Sequence, residues 1–159
     1  MTLSQHSTIA GLGAKLLQPG KALQAIKPGS RIYLGTGCAA PRCLITALET
    51  MESGPADLEF ISFLTTLTSA DVAAAPAPRY RHRSFFVGSD IRDLATSGRL
   101  DYVPISLEDV PTLLGNGRLP IDVALLQVSA PDERGFVSLG VSVDLAPAVL
   151  NVARHVIAE

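Results

Sequence analysis

The run from Ile121 to Val128, IDVALLQV, constrains the fold more than any other stretch of this chain. Its apolar residues stand at consecutive rather than alternate positions, the pattern of a strand covered on both faces. Such strands build parallel sheets with helices on either side, and these sheets bind ligands in the loops at their carboxyl ends. The run ends in the turn Ala130-Pro131-Asp132-Glu133-Arg134-Gly135. A second short extended run follows, then a glycine–serine loop, Gly140-Val141-Ser142-Val143, that opens a helix. With Asp144 as the N-cap of that helix, Pro147 falls at the third helical position, where no intrahelical N–H bond is lost. Asp144 is therefore expected to be a helix cap rather than an acid catalyst.

Strand-like and helix-like segments alternate through the rest of the chain. A short helix is expected over Lys21 to Ile26, a strand over Arg31 to Leu34, and a helix starting with Pro41 at its first position. Leu44, Leu48 and Met51 recur at helical spacing within it, and Gly54-Pro55 ends it. Leu58 to Leu64 reads as a second strand, Ala70 to Pro78 as a surface loop, and Phe85 to Val87 as a short strand. Helices follow at Ile91 to Ser97 and Ser106 to Leu114, separated by extended Tyr102-Val103-Pro104. After the helix reaching about Ala153, His155 to Ala158 reads as a buried final strand. Alternation of this kind implies right-handed crossovers and a three-layer α/β domain, with a mainly parallel sheet and helices on both faces.

Composition narrows the function classes. Hydrophobic residues make up 47% of the 159, with mean hydropathy +0.31. That excess suggests two-sided strands, or a surface covered by another domain or subunit, so self-association as a homo-oligomer is expected. No apolar run approaches the ~20 residues that span a bilayer, so no membrane role is expected. A net charge of −2 gives no footprint for nucleic acid. The N-terminus lacks a basic region followed by an apolar one, and two cysteines make no secreted disulfide framework. The cytoplasm is the default expectation. Residues 1–14 read as an N-terminal extension and 15–159 as one domain. The chain stops inside an apparent strand, which suggests a piece of a longer protein.

Four groups of residues carry candidate chemistry. Gly35-Thr36-Gly37, between a strand and a helix, lets backbone approach a phosphate, a carboxylate or an oxyanion, or is simply a tight turn. It is not a dinucleotide fingerprint, because the third glycine is missing. Cys38 at the same turn would need a base to act as a nucleophile. His6 falls in the terminus and His155 in an expected core strand, which leaves His82. A small buried cysteine is the commoner case, and a hydrolase using Cys38 would fail if Cys38→Ser left hydrolysis unchanged. Two cysteines alone make no zinc site, and no metal is expected. Arg79, Arg81, His82 and Arg83 suit a phosphate by geometry, although solvated strand-flanking charges are more frequent. Ser138 and Ser142 are hydrogen-bonding candidates for a ligand, or satisfied turn residues.

Three segments together resemble the acetyl-CoA hydrolase/transferase family, which includes 4-hydroxybutyrate and butyryl-CoA:acetate CoA-transferases. They are IKPGSRIYLGTGCAAPRCLITAL, SFFVGSDIRDLATSGRLDYVPISLEDVPTLL and RLPIDVALLQVSAPDERGFVSLGVSVD. The similarity runs from about Lys15 onward and is to the family's N-terminal half. Its GTGCxxP motif is most similar to members with a fused acetyltransferase domain. Ser89-Asp90, Leu67, Ala75 and Ala40 depart from the usual pattern, which bears on substrate choice more than on fold.

The resemblance implies two α/β halves with the acyl-CoA site between them, coenzyme A entering as acyl-CoA, and a small carboxylate as acceptor. It implies a glutamate nucleophile in the C-terminal half, absent from this chain. None of Glu49, Glu52, Glu59, Glu108, Glu133 and Glu159 matches that motif, so no catalytic residue is assigned here. Glu133 is the least implausible substitute on position alone, and is not adopted. Gly35, Thr36, Gly37, Phe136, Ser138, Gly140 and Ser142 are the expected contributions to one wall of the acyl-CoA site. The rival expectation is a non-catalytic module that binds coenzyme A, a carboxylate or another protein through the same loops.

Overall fold

The computed structural model describes residues 13–64 and 80–159. Expectations for His6, for most of the N-terminal extension, for the loop Ala70 to Pro78, and for Leu67, Ala75 and Arg79 lie outside them. Six strands, all parallel, form one sheet: β1 Arg31–Leu34, β2 Leu58–Ser62, β3 Tyr80–Ser84, β4 Leu100–Tyr102, β5 Val123–Leu126 and β6 His155–Ala158. Among the described residues five α-helices accompany it: α1 Pro19–Ala22, α2 Arg42–Thr50, α3 Arg92–Thr96, α4 Val110–Gly115 and α5 Ala146–Leu150.

Successive strand residues point to opposite faces, and in β1 and β5 both faces are apolar. Ile32, Leu34, Phe60, Val123 and Leu125 turn one way and pack with Leu44, Ile45 and Leu48 of α2 and Leu94 of α3. Tyr33, Ile61, Ala124 and Leu126 turn the other way, against Val110 and Leu114 of α4 and Ala146 and Val149 of α5. The domain is thus the three-layer α/β arrangement. Ile32, Leu125 and Val149 have no exposed surface, and full burial of side chains of this size contributes roughly 1.5–3 kcal/mol each.

Several elements differ from the sequence reading. The third strand is Tyr80–Ser84, not Phe85 to Val87. Arg81 and Arg83 lie within it, where the charged face hides an apolar strand pattern. Arg83 pairs with Glu59 of β2 at 2.9 Å and Asp101 of β4 at 3.4 Å, while Arg31 of β1 reaches Glu59 at 2.9 Å. Of the basic cluster, Arg83 therefore belongs to a cross-strand ion ladder, Arg81 pairs with Asp57 at 3.0 Å, and His82 is buried. Strand β6 is exposed at three of its four residues, because β5 flanks it on one side only. His155 is consequently not a core residue. The turn Ala130–Gly135 is present, held by the Asp132 carboxylate accepting the N–H groups of Arg134 and Phe136, but no strand follows it. Pro41 is the N-cap of α2 rather than its first residue.

The strand order is β4-β3-β2-β1-β5-β6. The chain winds outward from β1 through β4, then returns to place β5 on the other side of β1. Connections leaving β1 and β5 therefore diverge to opposite faces, which opens a crevice at their carboxyl ends.

Candidate functional site

The crevice is walled by Gly35–Ala40 after β1 and by Gln127–Asp144 after β5. Gly35 N–H extends the sheet by donating to Leu125 O at 2.9 Å. A Cβ on Gly35 would stand 2.5 Å from Ala39 O, closer than backbone tolerates. Gly37 has φ +55, and a Cβ there would meet Ser142 Oγ at 3.0 Å. Both glycines are therefore required by the fold of the turn itself. Its N–H groups are engaged within the protein: Gly37 with Leu64 O at 2.9 Å, Cys38 with Ser142 Oγ at 3.2 Å, and Ala39 with Thr36 O at 2.9 Å.

Asp144 is not a helix cap. Helix α5 begins one residue later than that role requires, with Leu145 at the N-cap and no side-chain cap bond. Pro147 still sits in the first turn, so the proline argument survives with a shifted frame. The Asp144 carboxylate instead accepts a hydrogen bond from Thr36 Oγ1, across the crevice from the β1 turn. Thr36 is 1% exposed, and Tyr33 lies buried beside it. Burial, then the neighbouring Asp144 charge, pushes the Tyr33 phenol above its ordinary range, offset in part by its contact with the Thr36 hydroxyl.

Between these loops lies an open depression of about 300 Å³, lined by Cys38, Ala39, Gln127, Leu139, Gly140 and Val141 among others. Of the expected site residues, Gly140 lines it directly. Gly35, Thr36, Gly37 and Ser142 form the turn and clasp behind it. Ser138 supports Gly140, whose N–H donates to Ser138 Oγ at 3.1 Å. Phe136 lies farther out on the loop and is 70% exposed. Gln127 was not singled out from the sequence. The one signal for it was its place as the polar interruption at the carboxyl end of an apolar run.

The thiols of Cys38 and Cys43 are free and exposed. His82 is buried, its ring 5.2 Å from that of Phe60. Burial and then the nearby Arg99 cation lower its pKa to about 4. It stands in the core as a neutral packing residue, not as a base open to a substrate. Among the described residues no group of three or more His, Cys, Asp or Glu is placed to hold a metal ion. Among them, too, no helix is long and apolar enough to cross a membrane.

A parallel sheet with a walled crevice at its switch point is the α/β arrangement whose loops carry ligand sites in proteins of this class. The model of the acetyl-CoA hydrolase/transferase N-terminal domain matches residues 3–159. The 4-hydroxybutyrate coenzyme A transferase of Clostridium kluyveri is 36% identical over 145 residues, which are 91% of this chain and 34% of that protein. RipA from Yersinia pestis superposes with a TM-score of 0.78 at 26% identity, over 98% of this chain and 38% of that one. A 4-hydroxybutyrate CoA-transferase from Porphyromonas gingivalis shares the fold, with a TM-score of 0.63 at 24% identity over 89% and 32% of the two chains. The chain belongs to the acetyl-CoA hydrolase/transferase family and corresponds to its N-terminal domain. It spans about a third of the length of the curated relatives it matches.

Proposed function

We propose that residues 15–159 form one wall of the acyl-CoA site of a CoA-transferase or acetyl-CoA hydrolase, working with a second α/β half that carries the catalytic glutamate. The observation that carries this reading is the crevice between β1 and β5, bordered by both family-like motifs at the sheet's switch point. Gly35, Thr36 and Gly37 shape the turn on one side. Ser138, Gly140 and Ser142 shape the loop on the other, with Phe136 at its exposed rim toward the partner half.

In this reaction the glutamate carboxylate attacks the thioester carbonyl, and the C–S bond breaks to release the coenzyme A thiolate and leave an acyl-glutamyl anhydride. The thiolate then attacks the glutamyl carbonyl, giving a glutamyl thioester and the free donor acid. An acceptor carboxylate reverses the two steps and leaves as the new acyl-CoA; in a hydrolase, water takes the acceptor's place. Covalent catalysis divides one difficult transfer into easier ones. This chain's part is to seat the acyl-CoA so that its carbonyl meets the incoming carboxylate.

The complete protein should exchange acetyl-CoA with a carboxylate acceptor or hydrolyse it, whereas residues 1–159 alone should give no turnover. Robust transfer by residues 1–159 alone would overturn the assignment of the glutamate to another half. Absence of any acyl-CoA turnover in the complete protein would overturn the enzyme reading.

A further inference from the structure

Two contacts tie the turn after β1 to the loop after β5: Thr36 Oγ1 to the Asp144 carboxylate, and Cys38 N–H to Ser142 Oγ. The β1 side is immobile by packing, because Thr36 and Tyr33 are both 1% exposed. The β5 side is held more lightly: Leu139 packs against the core and Ser138 O accepts Ser129 N–H at 2.9 Å, while Phe136, Val137, Gly140 and Val141 are exposed. Residues 136–143 carry no strand or helix, and Val141 is 85% exposed. Asp144 itself holds φ +36, a left-handed conformation that side-chain-bearing residues adopt only at a cost. That backbone conformation presents the carboxylate to a buried hydroxyl, so the strain and the contact belong to one arrangement.

We propose that Asp144 is a positioning residue: by accepting the Thr36 hydroxyl it holds the Leu139–Val141 segment at the height that shapes the acyl-CoA depression. This rests on the acyl-CoA reading above. Asp144 need not touch the substrate. It acts through its neighbours, since Ser142, two residues back, meets Cys38 only where Gly37 leaves room for its hydroxyl. Release of Asp144 removes one of these ties and leaves the Cys38–Ser142 contact to bear on the same end of the loop.

Three variants of the complete protein separate the hydrogen bond from the backbone. Asn tolerates the left-handed conformation and still offers an acceptor to Thr36. Gly relaxes the backbone but offers none. Thr36→Val removes the donor while nearly preserving shape. Asp144→Gly and Thr36→Val should raise KM for acetyl-CoA about tenfold at little-changed kcat, the size of effect one hydrogen bond gives. They should also speed hydrogen exchange of the Cys38 amide relative to that of Leu34 in β1. Asp144→Asn should stay near wild type in both. A mere loss of folded protein lowers apparent kcat and leaves KM alone, so the KM change distinguishes positioning from stability.

The proposal is overturned if Asp144→Gly matches wild type, if Asp144→Asn is as impaired as Asp144→Gly, or if Cys38 exchange quickens with KM unchanged. A wild type inert toward every acyl-CoA overturns the functional reading and this one with it. Active wild type with an unaffected Asp144→Gly variant overturns the positioning role alone.

Discussion

Glu159, at the end of β6, supplies the N-terminal cap of a helix 115 residues away: its Oε2 accepts Leu44 N–H at 2.8 Å and its Oε1 accepts Cys43 N–H at 3.3 Å. The first turn of a helix has unpaired N–H donors and a partial positive charge. Pro41, at the N-cap of α2, has no side chain able to accept them. The Glu159 backbone also closes the β5–β6 pairing, donating to Leu126 O and accepting from Val128 N–H.

Glu159→Ala should therefore lower stability by about 1 kcal/mol, the usual worth of a capping acceptor, with Glu159→Gln retaining most of it. Urea midpoints of the two variants check this. Equal midpoints for Ala and wild type would show that the helix start is satisfied by other groups.

The two turn glycines should respond differently. Gly37→Ala imposes a left-handed conformation on a residue with Cβ, a penalty of roughly 1–2 kcal/mol, and presses on Ser142 Oγ. Adding Ser142→Ala should relieve the contact but not the backbone term, and it removes the acceptor of Cys38 N–H, so recovery will be partial at most. Gly35→Ala should be the more damaging, because its neighbour is the Ala39 carbonyl rather than a side chain that can swing aside. Thermal unfolding of the three variants gives the ranking.

Stability should fall in mild acid on account of His82. Its folded pKa is about 4 against an ordinary 6.5. As pH drops below 6.5 the unfolded chain takes a proton that the folded core refuses, so folded protein loses stability until pH approaches 4 and the loss levels off. The full effect is on the order of 3 kcal/mol. His82→Phe, beside Phe60, should flatten the dependence between pH 6.5 and 4. A wild-type slope that persists unchanged in His82→Phe would assign it to other groups.

The ion pairs of Glu59 and of Asp57 should differ in worth. Glu59 is 12% exposed in its side chain and joins Arg31 and Arg83, so Glu59→Ala removes two pairings at once, leaves Arg83 with Asp101, and should cost about 1 kcal/mol. Asp57 and Arg81 are about two-thirds exposed, and Asp57→Ala should change stability by less than about 0.5 kcal/mol. Chemical denaturation at low and high salt compares them.

These elements show why some features were legible in the chain and others were not. Strands β1 and β5 could be read directly, because Ile32-Tyr33-Leu34 and Val123–Leu126 are short runs apolar on both faces and bounded by turn residues, the pattern of a buried parallel strand. Strand β3 could not. Tyr80, His82 and Ser84 face inward between Arg81, paired with Asp57, and Arg83, paired with Glu59 and Asp101, and these acids come from other parts of the chain. The turn glycines were legible as a turn, and their three-dimensional reasons, Ala39 O and Ser142 Oγ, were not.

From its sequence alone this chain determines a three-layer α/β domain, a glycine turn after the first strand, a loop after the fifth, and membership of a family. Local periodicity and short motifs suffice for these, since each depends on residues close together in the chain. Only the tertiary structure decides that Asp144 bonds Thr36 rather than capping its own helix, that Glu159 caps α2, and that His82 is a neutral core residue. Those roles depend on partners roughly 20 to 115 residues apart in the chain, and spatial proximity at that separation is set by strand order, which no local pattern records.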